Sequence, residues 1–263
     1  MIKEYNRPDT LEAALALLRR PEPVTLPLAG GTTLASATGE PVAVVDLQRL
    51  DLDTFQVQGN SLQLGATLTL QSLLDRLAGL SAEGAGLALG LQKAITHEAT
   101  YNLRMAASVA GTLVASRGRS PLTTALLALD TYLLIQPGDE TVSLGDFLPG
   151  RIERLRHKLI TRLTLPLSPR LAYEYVARSP ADQPIVCTAV AIWPSGRVRV
   201  ALGGYGAVPR LAFDGTETDG AMIAAESAYS HCGDEWASAD YRRDIAGVLV
   251  ERCIQNLIEL RPQ

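Results

Sequence analysis

Apolar positions in "RPDTLEAALALLRR" recur as Leu11, Ala14, Leu15, Leu17 and Leu18, the spacing of one helix face, with Asp9 or Thr10 placed to cap the first turn. The short run "VTLPLA" then reads as a strand, a glycine loop follows, and "VAVVDL" reads as a buried strand. The opening of the chain is therefore predicted as helix–strand–loop–strand. Phe55–Val57 and Ser61–Leu64 alternate around Gly59–Asn60, a hairpin signal. "GATLTLQSLLDRLAGL" predicts a helix capped by Thr69, and "EGAGLALGLQKAI" predicts another in spite of its glycines.

Between "THEATYN" and "TYLLIQ" the pattern becomes polar and glycine-punctuated, ending in a helix over Pro121–Leu129 and a strand over Thr131–Gln136. "SLGDFLPG" (Ser143–Gly150) predicts a helical turn closing on glycine, and "KLITRLTLPL" a strand finished by Pro166. Beyond it the texture changes, which places a boundary near Leu167–Arg170. "LAYEYVAR", "PIVCTAVAIWPSG" and "RVRVALGGYGAVPRLA" give three strand-like runs, with Pro194–Ser195–Gly196 as a turn. Two helices close the chain; the second carries Ile245, Leu249, Cys253 and Leu257 on one face. The pattern is α+β, with strands in both halves.

With 263 residues, 47% of them hydrophobic, the chain can bury the core of one or two domains. A net charge of −4 with scattered Lys and Arg argues against a nucleic-acid partner. "MIKEYNRPDT" has no apolar signal core, and no apolar run reaches the ~18 residues of a membrane span. The expected location is the cytoplasm. Cys187, Cys232, Cys253, His97, His157 and His231 are widely spaced and form no CxxC, HxxxH or HExxH pattern. No metal ligand set or iron–sulfur cluster is therefore expected. Cys187 reads as a small buried hydrophobe and His231–Cys232 as a surface turn.

Two stretches have the composition of a cofactor cradle. In "PLAGGTTLAS", Gly30 and Gly31 allow positive φ and close approach of a ligand to the backbone, and Thr32 and Thr33 add hydroxyl donors. The loop is neither GxGxxG nor a Walker pattern, so it reads either as an anion-binding nest or as a tight turn. In "AASVAGTLVAS", Ser108, Gly111 and Thr112 sit among small residues, and "SRGRSPLTT" follows with Arg117, Arg119, Ser120, Thr123 and Thr124. The arginines suit phosphate oxygens, or the segment is a surface loop capped by Ser120–Pro121 at a helix start. His97 beside Glu98 suggests acid–base work, but a lone His in a loop is more often solvated or structural. Tyr173 and Tyr175 share a strand face, suiting either core packing or stacking on an aromatic ligand. No Ser–His–Asp order or carboxylate pair stands out, which favours a cofactor holder over a hydrolase.

Eight segments, in order, resemble the FAD-binding (medium) subunit of the molybdenum hydroxylases, the xanthine dehydrogenase and aerobic carbon monoxide dehydrogenase type. They are "LPLAGGTTL" ahead of Val45–Asp46–Leu47, "LQLGATLTLQSL", "NLRMAASVAGTLVAS", "SPLTTALLALD", "SLGDFLPG", "LITRLTLPL", "RVRVALGGYGAVPRLA" and "DEWASADYRRDIAGVLVERCI". The resemblance implies a PCMH-type FAD-binding domain over 1–166, with subdomains 1–54 and 55–166. A smaller α+β domain of antiparallel strands with helices follows over 167–263. It implies FAD as cofactor and no catalytic acid–base residue in this chain. Leu28, Ala29, Gly30, Gly31, Thr32, Thr33 and Leu34 would grip the pyrophosphate from one side. Ser108, Gly111, Thr112, Ser120 and Thr124 would meet the pyrophosphate or the ribityl chain from the other. It further implies partner chains, an iron–sulfur subunit and a molybdopterin subunit, that deliver electrons for passage to NAD⁺, oxygen or a quinone.

The departures from the family pattern are Ala110 for a glycine, Thr112 for an asparagine, Met105 for an asparagine and Thr124 for an aspartate. A positive φ at Ala110 would cost about 1 kcal/mol, and a lost charge-assisted hydrogen bond at Thr124 about 1.5–3 kcal/mol. The alternative reading is a scaffold subunit of the same fold that has lost its flavin.

Overall fold

The computed structural model describes residues 2–33 and 41–259. In chain order its elements begin with β1 (Ile2–Asn6), α1 (Leu11–Arg19), β2 (Thr25–Leu28), β3 (Val42–Asp46), β4 (Phe55–Gln58) and β5 (Ser61–Gly65). Helices α2 (Leu70–Leu77), α3 (Ala82–Glu98), α4 (Tyr101–Ala106), α5 (Val109–Ala115) and α6 (Pro121–Ala128) follow. Next come β6 (Tyr132–Gln136), β7 (Glu140–Ser143), α7 (Leu144–Phe147), a 3-10 turn at Leu148–Gly150, α8 (Arg151–Arg154) and β8 (Leu159–Pro166). The chain closes with β9 (Arg170–Val176), β10 (Val186–Ile192), β11 (Val198–Gly203), β12 (Arg210–Gly215), α9 (Ala221–Tyr229) and α10 (Ala239–Glu259). The architecture is α+β.

The elements form two compact units. Unit 1 comprises Met1–Asp75, Tyr101–Ala115 and Tyr132–Thr164; unit 2 comprises Arg76–Thr100, Ser116–Thr131 and Leu165–Gln263.

Unit 1 holds two sheets. The first is parallel, in the order β1-β3-β2, with β3 buried along its whole length because it is paired on both edges. Thr10 caps α1 by accepting from Ala13 N–H, and Ala14, Leu15 and Leu18 pack against Val45, Leu47 and Leu159. The sequence reading placed no strand at Ile2–Asn6. Its residues are almost all exposed and follow no apolar alternation, so only pairing to β3 makes it a strand. The second sheet has five strands in the order β4-β5-β8-β6-β7. A further correction falls on the segment read as polar and irregular: it contains two short helices, α4 and α5.

Unit 2 is built on an antiparallel sheet, β12-β11-β10-β9. The run read as one strand at Arg197–Ala212 is in fact β11 and β12, separated by a glycine-rich turn with positive φ at Gly204 and Gly206. On one face Val186, Val190, Val200 and Leu202 pack on Ala225, Tyr229, Leu249, Cys253 and Leu257 of α9 and α10. On the other lie α3 and α6, which is why Arg76–Thr100 and Ser116–Thr131 group with the C-terminal strands. The glycines of α3 serve this packing: a Cβ on Gly90 would stand 2.3 Å from the Leu171 carbonyl oxygen. That backbone contact outweighs the helix propensity lost at glycine.

Candidate functional site

In unit 1 the glycine loop follows β2. Gly31 has φ 67°, a left-handed conformation that glycine adopts without steric cost. Gly30 is required for another reason. A Cβ there would lie 1.8 Å from the Ala106 carbonyl oxygen and 3.1 Å from Ala107 N, so the loop sits directly on the end of α4. Gly31, Thr32 and Thr33 are exposed, Leu28, Ala29 and Gly30 partly so. Among the described residues no acceptor serves the main-chain N–H groups of Gly30, Gly31 and Thr32. Leu34 lies outside the described residues.

The second loop adjoins the first through Ala106–Ala107 and leads into α5. Most of its main-chain donors already have partners. Val109 N–H donates to Leu68 O (2.9 Å), Ala110 N–H to Ala66 O (3.2 Å), Gly111 N–H to Ser108 Oγ (3.2 Å), and both Thr112 N–H and Thr112 Oγ1 to Ser108 O (2.9 Å each). Ser108 is buried and works as the cap of α5. Gly111 is exposed, and a Cβ on it would press on Ser108 Oγ at 2.7 Å. Ala110 is an ordinary buried helical residue with negative φ, so the backbone strain expected there does not arise. Unit 1 thus brings Gly30 against Ala106–Ala107, the residues that lead into Ser108, Gly111 and Thr112. Nearby, Asp46 is buried at the end of β3 and accepts from Tyr5 Oη and, at 2.9 Å, from Gln48 N–H. It ties β1 to the turn after β3.

Ser120 and Thr124 belong to unit 2, at the start of α6. Ser120 caps the helix by accepting from Thr123 N–H, and Pro121 fills its first position, as "SP" predicts. Thr124 is fully buried; its hydroxyl donates to Ser120 O at 2.8 Å and lies 3.7 Å from Cys187 Sγ. Burial pushes the Cys187 thiol up to about 12, so it is the neutral buried hydrophobe the sequence suggested. Arg119, a possible phosphate ligand on sequence grounds, instead stacks 4.2 Å over the Trp236 ring and pairs with Asp234 at 3.6 Å. Arg117 is exposed.

His97 is structural. Its Nε2 lies 2.9 Å from the Asp182 carbonyl oxygen, which can only accept, so Nε2 carries the proton and Nδ1 accepts from Tyr173 Oη at 2.9 Å. Its ring stacks on Tyr175 with centroids 3.7 Å apart, and burial lowers its pKa. The tyrosine pair therefore packs on a histidine. Sequence reasoning missed Glu98 as a partner of α6; an acid at a helix end carried no signal for it.

In the first loop, exposed main chain at Gly31 and Thr32 and a left-handed glycine offer the kind of backbone from which anion-binding nests are built.

The family described as "FAD binding domain in molybdopterin dehydrogenase" matches residues 1–168. The chain is 30% identical over 257 residues to the uncharacterized protein YgfM of Escherichia coli (strain K12), covering 95% of this chain and 94% of that one. The fold matches reconstituted CO dehydrogenase from Oligotropha carboxidovorans with a TM-score of 0.83 at 22% identity, over 98% of both chains. It matches quinoline 2-oxidoreductase from Pseudomonas putida 86 with a TM-score of 0.80 at 21% identity, over 97% of this chain and 96% of that one.

Proposed function

The chain belongs to the family of FAD-binding domains of molybdopterin dehydrogenases, and from that premise we propose that it is the flavin-bearing electron-transfer subunit of a molybdenum hydroxylase-type oxidoreductase. FAD is the cofactor this family binds, and bound FAD supplies the hydride and electron chemistry that no side chain here provides. The observation that carries the reading is that, among the described residues, no acceptor serves the amides of Gly30, Gly31 and Thr32. Leu28–Thr33 would hold the pyrophosphate by its main chain, with Leu34 continuing that segment. Ser108, Gly111 and Thr112 would shape the adjoining wall. Ser120 and Thr124 would act by fixing the start of α6 in unit 2, since their hydroxyls are already bonded there.

Partner chains bearing iron–sulfur clusters and the molybdenum centre would deliver the electrons, and an external acceptor would remove them. Among the described residues no group of three or more His, Cys, Asp or Glu could hold a metal ion. The cytoplasm is the proposed location.

One observation favours a scaffold role without flavin: the N–H groups of Val109, Ala110, Gly111 and Thr112 are already satisfied internally. A single experiment separates the readings. The purified protein is incubated with excess FAD, desalted and scanned for flavin absorbance. Retained flavin bands support the electron-transfer subunit; a colourless protein refutes it in favour of the scaffold.

A further inference from the structure

Trp236 is 40% exposed and carries two guanidiniums: Arg119 stacks 4.2 Å and Arg178 4.4 Å from the centre of its ring. The loop that presents it is fixed from below. Asp234 accepts from Trp236 N–H at 2.9 Å and from Ala237 N–H at 3.2 Å. Arg242, fully buried, donates to Asp234 and to the carbonyls of Ile185 and Gly204, which adjoin the ends of β10 and β11. Trp236 Nε1 donates to Glu235 at 2.9 Å. The cluster is short of acceptors. Among the described residues, Arg119 Nη2 is buried 3.6 Å from Asp234 without a hydrogen bond, and Arg242 Nε is buried without one. Exposed Arg178 pairs with no carboxylate among the described residues. Arg119, Arg178 and Arg242 thus share two carboxylates, Asp234 and Glu235, which leaves one positive charge in excess. Buried donors without acceptors are rare and costly in folded proteins.

We propose that this arginine–tryptophan cluster of unit 2 is a docking site for an acidic side chain of a partner polypeptide. Arg178 offers its planar fork to one carboxylate, the geometry of the strong bidentate pair. The charges of Arg119 and Arg242 lie behind it, and a surplus of one matches a singly charged carboxylate rather than a phosphate dianion. Trp and Arg are the side chains in which interface binding energy concentrates. An anchor already held by stacking and by the Asp234 turn loses little freedom on binding. The inference concerns unit 2 alone and holds whether or not flavin binds.

The test uses the full chain carrying Trp193→Phe, which leaves Trp236 as its single tryptophan. End-blocked hexaglutamate is titrated in at about 20 mM salt and followed by tryptophan emission, with hexaglutamine and inorganic phosphate as parallel arms. A saturable change with hexaglutamate is expected, weakened at about 200 mM salt. Binding should be about tenfold or more weaker in Arg178→Gln, through loss of the charge-assisted pair. It should be unchanged in Arg162→Gln, whose side chain is exposed on β8 in unit 1. No saturable response, or equal affinity in the parent and Arg178→Gln, overturns the site. Hexaglutamine binding as tightly as hexaglutamate also overturns it, because no carboxylate is then needed. Phosphate binding as tightly as hexaglutamate overturns the polypeptide assignment in favour of a site for free oxyanions.

Discussion

Replacing Gly30 with alanine asks whether the seat of the first loop on α4 shapes the cofactor site. The new Cβ would lie 1.8 Å from the Ala106 carbonyl oxygen and 2.5 Å from its carbonyl carbon, well inside the 3.0 Å below which side-chain carbons are essentially never found. Backbone atoms cannot rotate aside, so loop and helix end must part by about 1 Å in an otherwise close-packed unit. Overpacking of this kind costs about 1–3 kcal/mol of stability. On the proposed reading, the same displacement would carry the amides of Gly31 and Thr32 off a bound pyrophosphate. Each hydrogen bond to a charged group is worth about 1.5–3 kcal/mol, so loss of one or two weakens FAD by about tenfold to about ten-thousandfold. The assay is a flavin-fluorescence titration, paired with thermal unfolding followed by circular dichroism. Gly59→Ala is the control: Gly59 has φ 57° with nothing within 4 Å of its Cβ position, so it should lose about 1 kcal/mol of stability and leave FAD affinity unchanged. Native FAD affinity in a folded Gly30→Ala protein would refute the reasoning.

Three further outcomes are expected. Thr124→Val keeps the shape of the buried side chain but removes its donor to Ser120 O, so it should lower the melting temperature by about 2–4 °C with FAD affinity within about twofold of native. A large affinity loss at unchanged stability would instead place the Thr124 hydroxyl on the cofactor. The Arg197 hydrogen bonds hold Asp214 below its ordinary value of 3.8. Stability from this group is thus present above 3.8 and lost as pH falls through the lower folded value; Asp214→Asn should flatten the acid limb of a melting-temperature profile. Finally, Cys187, Cys232 and Cys253 are all buried, so a colorimetric thiol reagent at mildly alkaline pH should find no reactive thiol until denaturant is added. Rapid labelling of the native protein would contradict that packing.

The sequence by itself determined those features whose causes are local. Thr10 ahead of a helical apolar face, Thr69 before α2, and Ser120–Pro121 ahead of an apolar run each carry a cap that acts within one turn, and each helix starts where the cap says. The ordered glycine and hydroxyl motifs likewise sufficed to indicate the family. Tertiary structure alone decided the rest, because the partners come from distant parts of the chain. β1 has no amphipathic pattern and is a strand through its pairing with β3. Gly30 reads as a possible phosphate ligand but is fixed as glycine by the carbonyl of Ala106. Arg119 reads as a phosphate ligand and is turned onto Trp236; Ala110 reads as strained and is an ordinary helical residue. Glu98, next to a histidine in sequence, answers to the amide of Leu122 at the start of another helix. Periodicity and capping are encoded within a few residues, whereas a close backbone approach or a buried hydrogen bond is fixed only when two remote segments meet.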